Sequence, residues 1–225
     1  MNETSKSKPN WGAIEKTAST GRGIDIGCGP NPVTPEARPF DKQHGDANAA
    51  SQHVSEQFDF VYSSHCLEHM HDPRLTILDW WKLVKPGGYL FVLIPDEDLY
   101  EQGVFPSRFN DDHKATFTIS KSRSWSPKSI NVLELGQSLP GGQIVSLQLQ
   151  DIGYDRNLTS FGRTPPNLLA RAVAKTQNLL VKIFGATAWP GLRRLVTTYY
   201  PVDQTSEPFQ AQAQIQLIVK KTVIA

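Results

Sequence analysis

The stretch Gly23-Ile24-Asp25-Ile26-Gly27-Cys28-Gly29-Pro30 decides the fold of this chain. A short β-branched run that carries one acid ends abruptly in two glycines, which predicts a buried strand running into a tight turn. Glycine at positions 27 and 29 opens backbone conformations that other residues avoid, and it lets a ligand lie against bare peptide. Ligands of open α/β sheets bind at the carboxyl ends of the strands. The stretch therefore predicts a ligand-binding floor, with a plain change of chain direction as the alternative.

The composition limits the kinds of partner. Of the 225 residues, 23 are basic and 22 are acidic, and the net charge of +1 gives no electrostatic case for binding nucleic acid. No run approaches the ~20 apolar residues that span a bilayer, and the first residues lack the apolar core of a signal peptide. The two cysteines, Cys28 and Cys66, form no disulfide framework and have no metal-site spacing. We therefore expect a cytoplasmic protein with a small-molecule partner, no nucleic acid and no transmembrane segment.

Four prolines, at positions 30, 32, 35 and 39, interrupt the chain directly after the first strand. Proline removes a backbone donor and fixes φ, so a regular helix is excluded here, although a parallel crossover usually contains one. We expect the first crossover helix to be reduced or missing, and a short second strand over residues 38–42 to end at Asp41. The other expected elements are a disordered tail over residues 1–9, strands over 23–26, 58–64, 89–94, 142–150 and 211–219, and helices over 11–20, 73–84 and 128–135.

Four motifs follow one another in the order of a known family. They are Ile24-Asp25-Ile26-Gly27-Cys28-Gly29, the turn Gly45-Asp46-Ala47, the strand 58–65 followed by Leu67-Glu68-His69, and the turn Lys85-Pro86-Gly87-Gly88-Tyr89-Leu90. Together they resemble the class I S-adenosylmethionine-dependent methyltransferases, in particular the small-molecule group related to the UbiE/type 11 family. The resemblance implies S-adenosylmethionine as the cofactor. It also implies an α/β fold, a Rossmann-like, mostly parallel twisted sheet with an antiparallel last strand.

The order of the expected elements divides the chain into four parts. Residues 1–20 are a tail and short helix, 21–156 the cofactor-binding methyltransferase core, 157–205 a helical insert, and 206–225 the final strand of the core. Within the insert, a helix is expected from Thr164, with basic residues beside an apolar stripe. The insert is a candidate lid, homodimer surface or weak contact with a membrane surface, and a solvated basic face over the core is the plain alternative.

The family motifs imply roles for individual residues. The methionine part of the cofactor passes the glycine turn, a carboxylate at the end of the second strand binds the ribose diol, and the next turn meets the adenine. The end of the 58–64 strand lies beneath the sulfonium. The cofactor-binding set implied in this way is Asp25, Gly27, Cys28, Gly29, Asp41, Asp46, Ala47, Ser64 and His65. For Asp25 and Asp46 a turn-forming role is the alternative.

The polar segment 96–129 is expected to carry the acceptor-binding and catalytic groups, because it is long and follows a central strand. A hydroxyl nucleophile is helped by a general base. Our candidate base is His113, with Asp112 as the carboxylate that orients its imidazole, and a solvated loop histidine is the alternative. A similarity to bacterial methyltransferases associated with surface polysaccharides implies a sugar, nucleotide sugar or polysaccharide precursor as acceptor, and hence an O-methyltransferase.

Three other functions share parts of this pattern. Residues 65–69 fit H-x-x-E-H, the signature of inverted zinc peptidases, but Asp72-Pro73 starts a new helix where that zinc site needs one long helix. We therefore expect no metal ligand. A noncatalytic S-adenosylmethionine-binding subunit would keep the first motif and lack an acceptor base. A dehydrogenase needs a helix directly after the glycines, which the prolines forbid.

Overall fold

The computed structural model describes residues 3–159, 161–162, 176, 179, 183, 201–207 and 209–223. Most of the predicted insert, including the helix expected from Thr164, lies outside these residues. The described helices are α1 (Glu3–Ser7), α2 (Ala13–Ala18), α3 (Ala50–His53), α4 (Pro73–Lys82) and α5 (Val132–Gln137). The described strands are β1 (Gly23–Ile26), β2 (Arg38–Phe40), β3 (Phe58–Ser64), β4 (Val84–Pro95), β5 (Thr116–Thr118), β6 (Ser129–Asn131), β7 (Gly142–Gln150) and β8 (Gln214–Lys221).

Six of these strands form one sheet in the order β2-β1-β3-β4-β8-β7. β1 pairs in parallel with both β2 and β3, and β3 pairs in parallel with β4. β8 lies between β4 and β7 and is antiparallel to both. The predicted Rossmann-like, mostly parallel sheet with an antiparallel last strand is confirmed. The carboxyl ends of β1, β2, β3 and β4 meet at one edge because these strands run in the same direction.

The central strand β3 is buried on both faces, which explains its dense run of β-branched and aromatic residues. Alternate side chains enter two different cores. Val61 packs in the cluster that contains Trp80 of α4. Phe60 and Tyr62 pack on the opposite face in the cluster that contains Trp11. The sheet is therefore covered by α4 on one side and by the N-terminal segment on the other.

The crossover between β1 and β2 contains no helix, as the prolines predict. Polar contacts hold this loop instead: the Val33 N–H donates to Asp25 Oδ2 at 2.6 Å, and Lys8 Nζ donates to the Val33 carbonyl at 2.6 Å. β2 is only three residues long, and Asp41 follows it directly, as the sequence predicts. Among the residues that the structure describes, none forms a helix long and apolar enough to cross a membrane.

Helix α4 begins where the sequence predicts and fixes one side of the site. Asp72 caps it by accepting the N–H groups of Arg74 at 3.0 Å and Leu75 at 3.2 Å, and Pro73 occupies the first turn. Further along, Trp80 Nε1 donates to the Ala47 carbonyl at 2.8 Å. The turn predicted to meet the adenine is thereby anchored to α4.

Two predictions of local structure are wrong. The N-terminal segment expected to be a disordered tail forms α1 and a 3-10 turn, Lys8–Asn10. Contacts with distant strands order it: Thr4 Oγ1 lies 3.1 Å from the Tyr62 hydroxyl, and Gln214 Nε2 donates to Ser7 Oγ at 2.8 Å.

The second wrong prediction concerns the helix expected over residues 128–135. It starts only at Val132, because the preceding residues pair as β6 with β5. Asn131 then caps α5 by accepting the Glu134 N–H at 3.1 Å.

Candidate active site

The turn after β1 is built on two glycines with left-handed backbone angles. Gly27 has a φ of 78° and Gly29 a φ of 57°. A Cβ on Gly27 would lie 2.6 Å from the Cys66 Cβ, whereas a Cβ on Gly29 would meet nothing within 4 Å. Gly27 is therefore required by packing as well as by its backbone, and Gly29 leaves an open stretch of peptide at the end of the strand.

A cavity of about 840 Å³, here called the cofactor cavity, opens beside this turn. Its lining includes five of the predicted cofactor residues: Gly27, Asp41, Asp46, Ala47 and His65. Asp41 Oδ2 accepts the Gly29 N–H at 2.8 Å, which joins the ends of β1 and β2. Asp46 Oδ1 accepts the side-chain and backbone N–H groups of Asn48, and these hydrogen bonds lower the pKa of Asp46. The structure thus brings two carboxylates to the carboxyl edge of the sheet.

The remaining predicted cofactor residues, Asp25, Cys28, Gly29 and Ser64, are not in the lining of this cavity. The Asp25 side chain is buried beneath the loop and accepts the Val33 N–H. Burial outweighs that hydrogen bond and raises the pKa of Asp25 to about 7. Burial likewise raises the pKa of the Cys28 thiol. Asp25 therefore supports the loop from inside instead of facing the cavity.

A second cavity of about 510 Å³, here called the acceptor cavity, meets the first. His65, His69 and Asn110 line both, so these three residues form the junction. The other lining residues come from distant parts of the chain: Glu3, Lys6, Glu68, Tyr100, Phe109, His113, Asp203, Thr205, Ser206 and Glu207. Four separate segments therefore build the acceptor cavity.

His113, the predicted base, is buried in the wall of the acceptor cavity. Its Nδ1 lies 2.6 Å from Glu101 Oε1, and its ring stacks against Tyr100 with centroids 5.2 Å apart. Burial alone would lower the pKa of His113, but the hydrogen bond with Glu101 and the charges of Glu68 and Glu101 outweigh it, and the pKa is raised. His113 is therefore a partnered, buried histidine and not a solvated loop residue.

The partner of His113 differs from the sequence expectation. Asp112, expected to orient His113, instead places Oδ2 3.1 Å from Nδ1 of His69, and its exposed side chain also pairs with Lys114 at 3.3 Å. Adjacent residues in an irregular loop point in different directions, so sequence neighbourhood did not predict the contact. The carboxylate that holds His113 is Glu101, from the π-helical turn Glu97–Glu101 after β4.

Glu68 is the most unusual side chain of the site. It is completely buried, yet neither carboxylate oxygen has a hydrogen-bond partner among the described residues. Oε1 faces three imidazole nitrogens, His65 Nδ1 at 3.6 Å, His69 Nε2 at 3.9 Å and His113 Nε2 at 4.0 Å. One carboxylate oxygen therefore sits at the centre of a group of histidines, at distances too long for hydrogen bonds.

The H-x-x-E-H stretch does not form the helix that its zinc-peptidase interpretation requires. Leu67–His69 is a single 3-10 turn, and His65 has a left-handed φ of 52°. Sequence reasoning noticed Glu68 and His69 only through this motif. It missed Glu101, Glu3, Lys6 and Asp203, for which no local pattern exists.

The residues of the cofactor cavity fit S-adenosylmethionine. The volume of about 840 Å³ lies in the range of small-molecule sites. The lining includes two carboxylates, Asp41 and Asp46, a kind of group that can accept hydrogen bonds from a sugar diol or an amine, and Gly27 presents backbone without a side chain. His65 and His69 stand at the end of the cavity that leads to the acceptor side.

Solved structures similar to this chain include two methyltransferases. A S-adenosylmethionine-dependent methyltransferase from Archaeoglobus fulgidus is 13% identical, with 97% of this chain and 92% of that chain covered and a TM-score of 0.45. Coclaurine N-methyltransferase, solved with N-methylheliamine and SAH, is 11% identical, with 97% and 72% covered and a TM-score of 0.45.

Sequence comparison gives the family. The ubiquinone biosynthesis O-methyltransferase of Pseudomonas entomophila (strain L48) is 32% identical over 84 residues, which make up 35% of this chain and 36% of that protein. The match thus spans only about a third of that relative. The sequence profile described as "Methyltransferase domain" matches residues 11–127, just over half of the chain. With the glycine turn, the mostly parallel sheet and this match, the chain belongs to the methyltransferase-domain family, whose cofactor is S-adenosylmethionine.

Proposed function

We propose that this chain methylates a hydroxyl group of a small polar molecule. The observation that carries the proposal is the junction of the cofactor and acceptor cavities at His65, His69 and Asn110. Bound S-adenosylmethionine supplies an electrophilic methyl group: its methyl–sulfur bond breaks as the carbon–oxygen bond forms, the hydroxyl loses a proton, and S-adenosylhomocysteine is the by-product. The task of the chain is to hold the acceptor oxygen at the junction in a productive orientation.

The lining of the acceptor cavity supports a hydroxyl-rich acceptor. Lys6 and Glu3, which pair at 2.7 Å, and the hydroxyls of Thr205 and Ser206 offer hydrogen-bonding groups. Other walls are aromatic, with the rings of Tyr100 and Phe109 5.8 Å apart. A mixed lining of polar groups and aromatic faces favours a sugar, nucleotide sugar or surface-polysaccharide precursor over an apolar acceptor.

His113 is the proposed catalytic residue, and Asp112 acts indirectly. Glu101 holds Nδ1 of His113, which leaves Nε2 as the nitrogen that serves the acceptor hydroxyl. Asp112 holds Nδ1 of His69 and is therefore a positioning residue for the junction. The 32% identity of one stretch to an O-methyltransferase supports oxygen as the methylated atom.

The cellular setting also belongs to the proposal. Cys28 and Cys66 are both free and buried, which supports a reducing, cytoplasmic compartment. A homodimer or membrane-surface contact through residues 157–205 stays a prediction.

The proposal is tested by supplying sugars, nucleotide sugars and phenols with S-adenosylmethionine and measuring S-adenosylhomocysteine. We expect turnover with at least one hydroxyl acceptor, and His113→Gln to lower kcat/KM by about 100-fold or more. Calorimetry should show unchanged cofactor affinity in this variant. The matched control is His71→Gln, since His71 is an exposed histidine of the same region that lines neither cavity.

Two results would contradict the proposal. Tight cofactor binding without turnover over the whole panel would favour the noncatalytic subunit. Unchanged turnover in His113→Gln would remove His113 from the reaction while leaving the acceptor class intact.

A further inference from the structure

Glu68, His69 and His113 each offer one ligand atom, and these three atoms lie within 4.8 Å of one another. We propose that the three side chains bind a divalent transition-metal ion at the junction of the two cavities. An oxygen of the acceptor then completes the coordination of the ion. Metal binding does not depend on which acceptor is methylated, but it makes His113 Nε2 a ligand in place of a general base. The contact with the acceptor rests on the proposed function.

The distances from Glu68 to the two histidines match ligands of one shared metal ion better than direct hydrogen bonds. Glu68 Oε1 lies 3.9 Å from His69 Nε2 and 4.0 Å from His113 Nε2. Two ligands that each sit about 2.1 Å from a tetrahedral metal are about 3.4 Å apart, and wider angles separate them by up to about 4.2 Å. These two separations fall in the upper part of that interval, and they are too long for hydrogen bonds between the side chains.

The unpartnered carboxylate of Glu68 is the second observation. Both of its oxygens are buried, and neither has a hydrogen-bond partner among the described residues. Burying a carboxylate without partners is strongly unfavourable unless a charge or ligand compensates it. A cation between Glu68 and the two imidazoles supplies that compensation by direct coordination, whereas no described side chain donates a hydrogen bond to this carboxylate.

In both histidines Nδ1, the ring nitrogen farther from Glu68, contacts a carboxylate, as the nonligating nitrogen does in metal sites. Nδ1 of His113 lies 2.6 Å from Glu101 Oε1, and Nδ1 of His69 lies 3.1 Å from Asp112 Oδ2. When Nδ1–H donates to a carboxylate, the lone pair of Nε2 is left for a metal. In both histidines Nε2 is the nitrogen nearer Glu68. His69 and His113 lie in different segments of the chain, and both place Nδ1 against a carboxylate and Nε2 toward Glu68.

His65 adds a further donor beside this set. Its Nε2 lies 2.8 Å from Gln214 Oε1, and its Nδ1 lies 3.6 Å from Glu68 Oε1. The left-handed backbone of His65 aims this ring toward the junction, a strained conformation that a non-glycine residue adopts at a cost. His65 therefore lies next to the proposed ligand set without being part of it.

The ligand types select the class of ion. One carboxylate and two imidazoles suit Zn²⁺, Fe²⁺, Mn²⁺ or Co²⁺, whereas Mg²⁺ and Ca²⁺ prefer sites built from oxygen alone. Three protein ligands leave coordination positions open. The expectation that this chain has no metal ligand assumed that both histidines had to share one helix with Glu68. In the structure the distant His113 supplies the second imidazole.

The position of the ion would let it coordinate the hydroxyl of the acceptor. It would lie between the cofactor cavity and the acceptor cavity, since His69 lines both and His113 lines the second. A bound metal lowers the pKa of a coordinated hydroxyl and fixes its position. An acceptor with two adjacent hydroxyls can chelate it. In this state His113 Nε2 is a ligand, and the ion activates the hydroxyl in place of a free imidazole.

The test uses the full-length protein, freed of metal by a chelator and then titrated with Zn²⁺ and Co²⁺. Calorimetry should give one ion per chain, and bound Co²⁺ should show visible absorption bands of a low-symmetry site. We expect Glu68→Gln and His69→Gln to weaken binding by more than about 100-fold, and Glu101→Gln by about 10- to 100-fold. His71→Gln, the matched control, should bind as the unaltered protein does. Thermal melting and circular dichroism verify that each variant is folded.

The outcomes separate the two proposals. Absence of stoichiometric binding by the folded protein, or unchanged affinity in both Glu68→Gln and His69→Gln, overturns the metal site. Stoichiometric binding that both substitutions abolish supports it, even if no acceptor is methylated, and in that case only the proposed function fails. Full turnover by chelated, metal-free protein that still binds Co²⁺ overturns the contact between ion and acceptor.

Discussion

The cofactor side and the acceptor side of this molecule are built in different ways. The cofactor cavity is lined mainly by the short turns that follow β1, β2 and β3, within the first half of the chain. The acceptor cavity combines α1, the loop around His113 and residues 203–207. Local turns specify the first, and contacts over more than a hundred residues specify the second. The two sides therefore depend on largely different parts of the chain and share only the lining residues of the junction, His65, His69 and Asn110.

The most damaging substitution on the cofactor side should be Gly27→Ala. The left-handed φ costs about 1–2 kcal/mol, and the new methyl group overlaps Cys66. We expect at least a tenfold loss of S-adenosylmethionine affinity and a clear drop in the free energy of unfolding. Calorimetry and chemical denaturation measure the two effects.

Gly29→Ala is the matched control, because it shares the left-handed φ and has open space around its Cβ. It should lose only about 1 kcal/mol of stability. If the two variants behave alike, packing against Cys66 is not what requires Gly27. If Gly27→Ala also abolishes Co²⁺ binding in a folded protein, the two sides of the site are not independent.

A smaller effect is expected from Asp25, the buried acid of the cofactor side. Its pKa of about 7 in the folded protein lies well above the ordinary value of 3.8, so the folded state binds a proton between these values that the unfolded chain does not. The free energy of unfolding of the cofactor-free protein should therefore rise as the pH falls from about 7 to about 4, by an amount on the order of 1–3 kcal/mol.

Asp25→Asn should remove this pH dependence of the free energy of unfolding. It should also make the cofactor-free protein more stable at pH 8, because no buried charge remains. Urea unfolding at several pH values measures it. If the free energies of unfolding of the wild-type protein and of Asp25→Asn differ by the same amount from pH 4 to pH 8, Asp25 keeps an ordinary pKa.

The smallest effect is expected on the acceptor side, from Lys6→Ala. Lys6 lines the acceptor cavity, pairs with Glu3 and donates to the Thr205 carbonyl at 2.5 Å, so it joins two walls of that cavity. We expect KM for the acceptor to rise several-fold, with cofactor affinity unchanged. Steady-state kinetics and calorimetry on the same preparation separate the two. If cofactor affinity changed as much as KM, Lys6 would affect both cavities, and the cofactor and acceptor sides would not be separate.

Sequence reasoning succeeded where a structure depends on neighbouring residues. The short strand directly before Asp41 and the glycine turn follow from local rules, because turn geometry and strand ends are encoded within a few residues. It failed for α1, whose polar composition indicated disorder while contacts with Tyr62 and Gln214 order it. It also paired His113 with the adjacent Asp112, because the sequence marks a turn at residues 103–106 but does not show which side chains that turn brings together.

The position of β8 has a consequence for how the protein is synthesised. β8 is the last described strand, yet it occupies a place inside the sheet, between β4 and β7. A chain emerging from the ribosome has already made β4, whose hydrogen-bonding edge stays unpaired until residues 214–221 arrive. Such an open edge is a template for association with other chains. Gln214, which contacts both Ser7 and His65, arrives with the same strand. The nascent chain is therefore protected at this edge only after residues 214–221 have been made, and the acceptor side matures at that same moment.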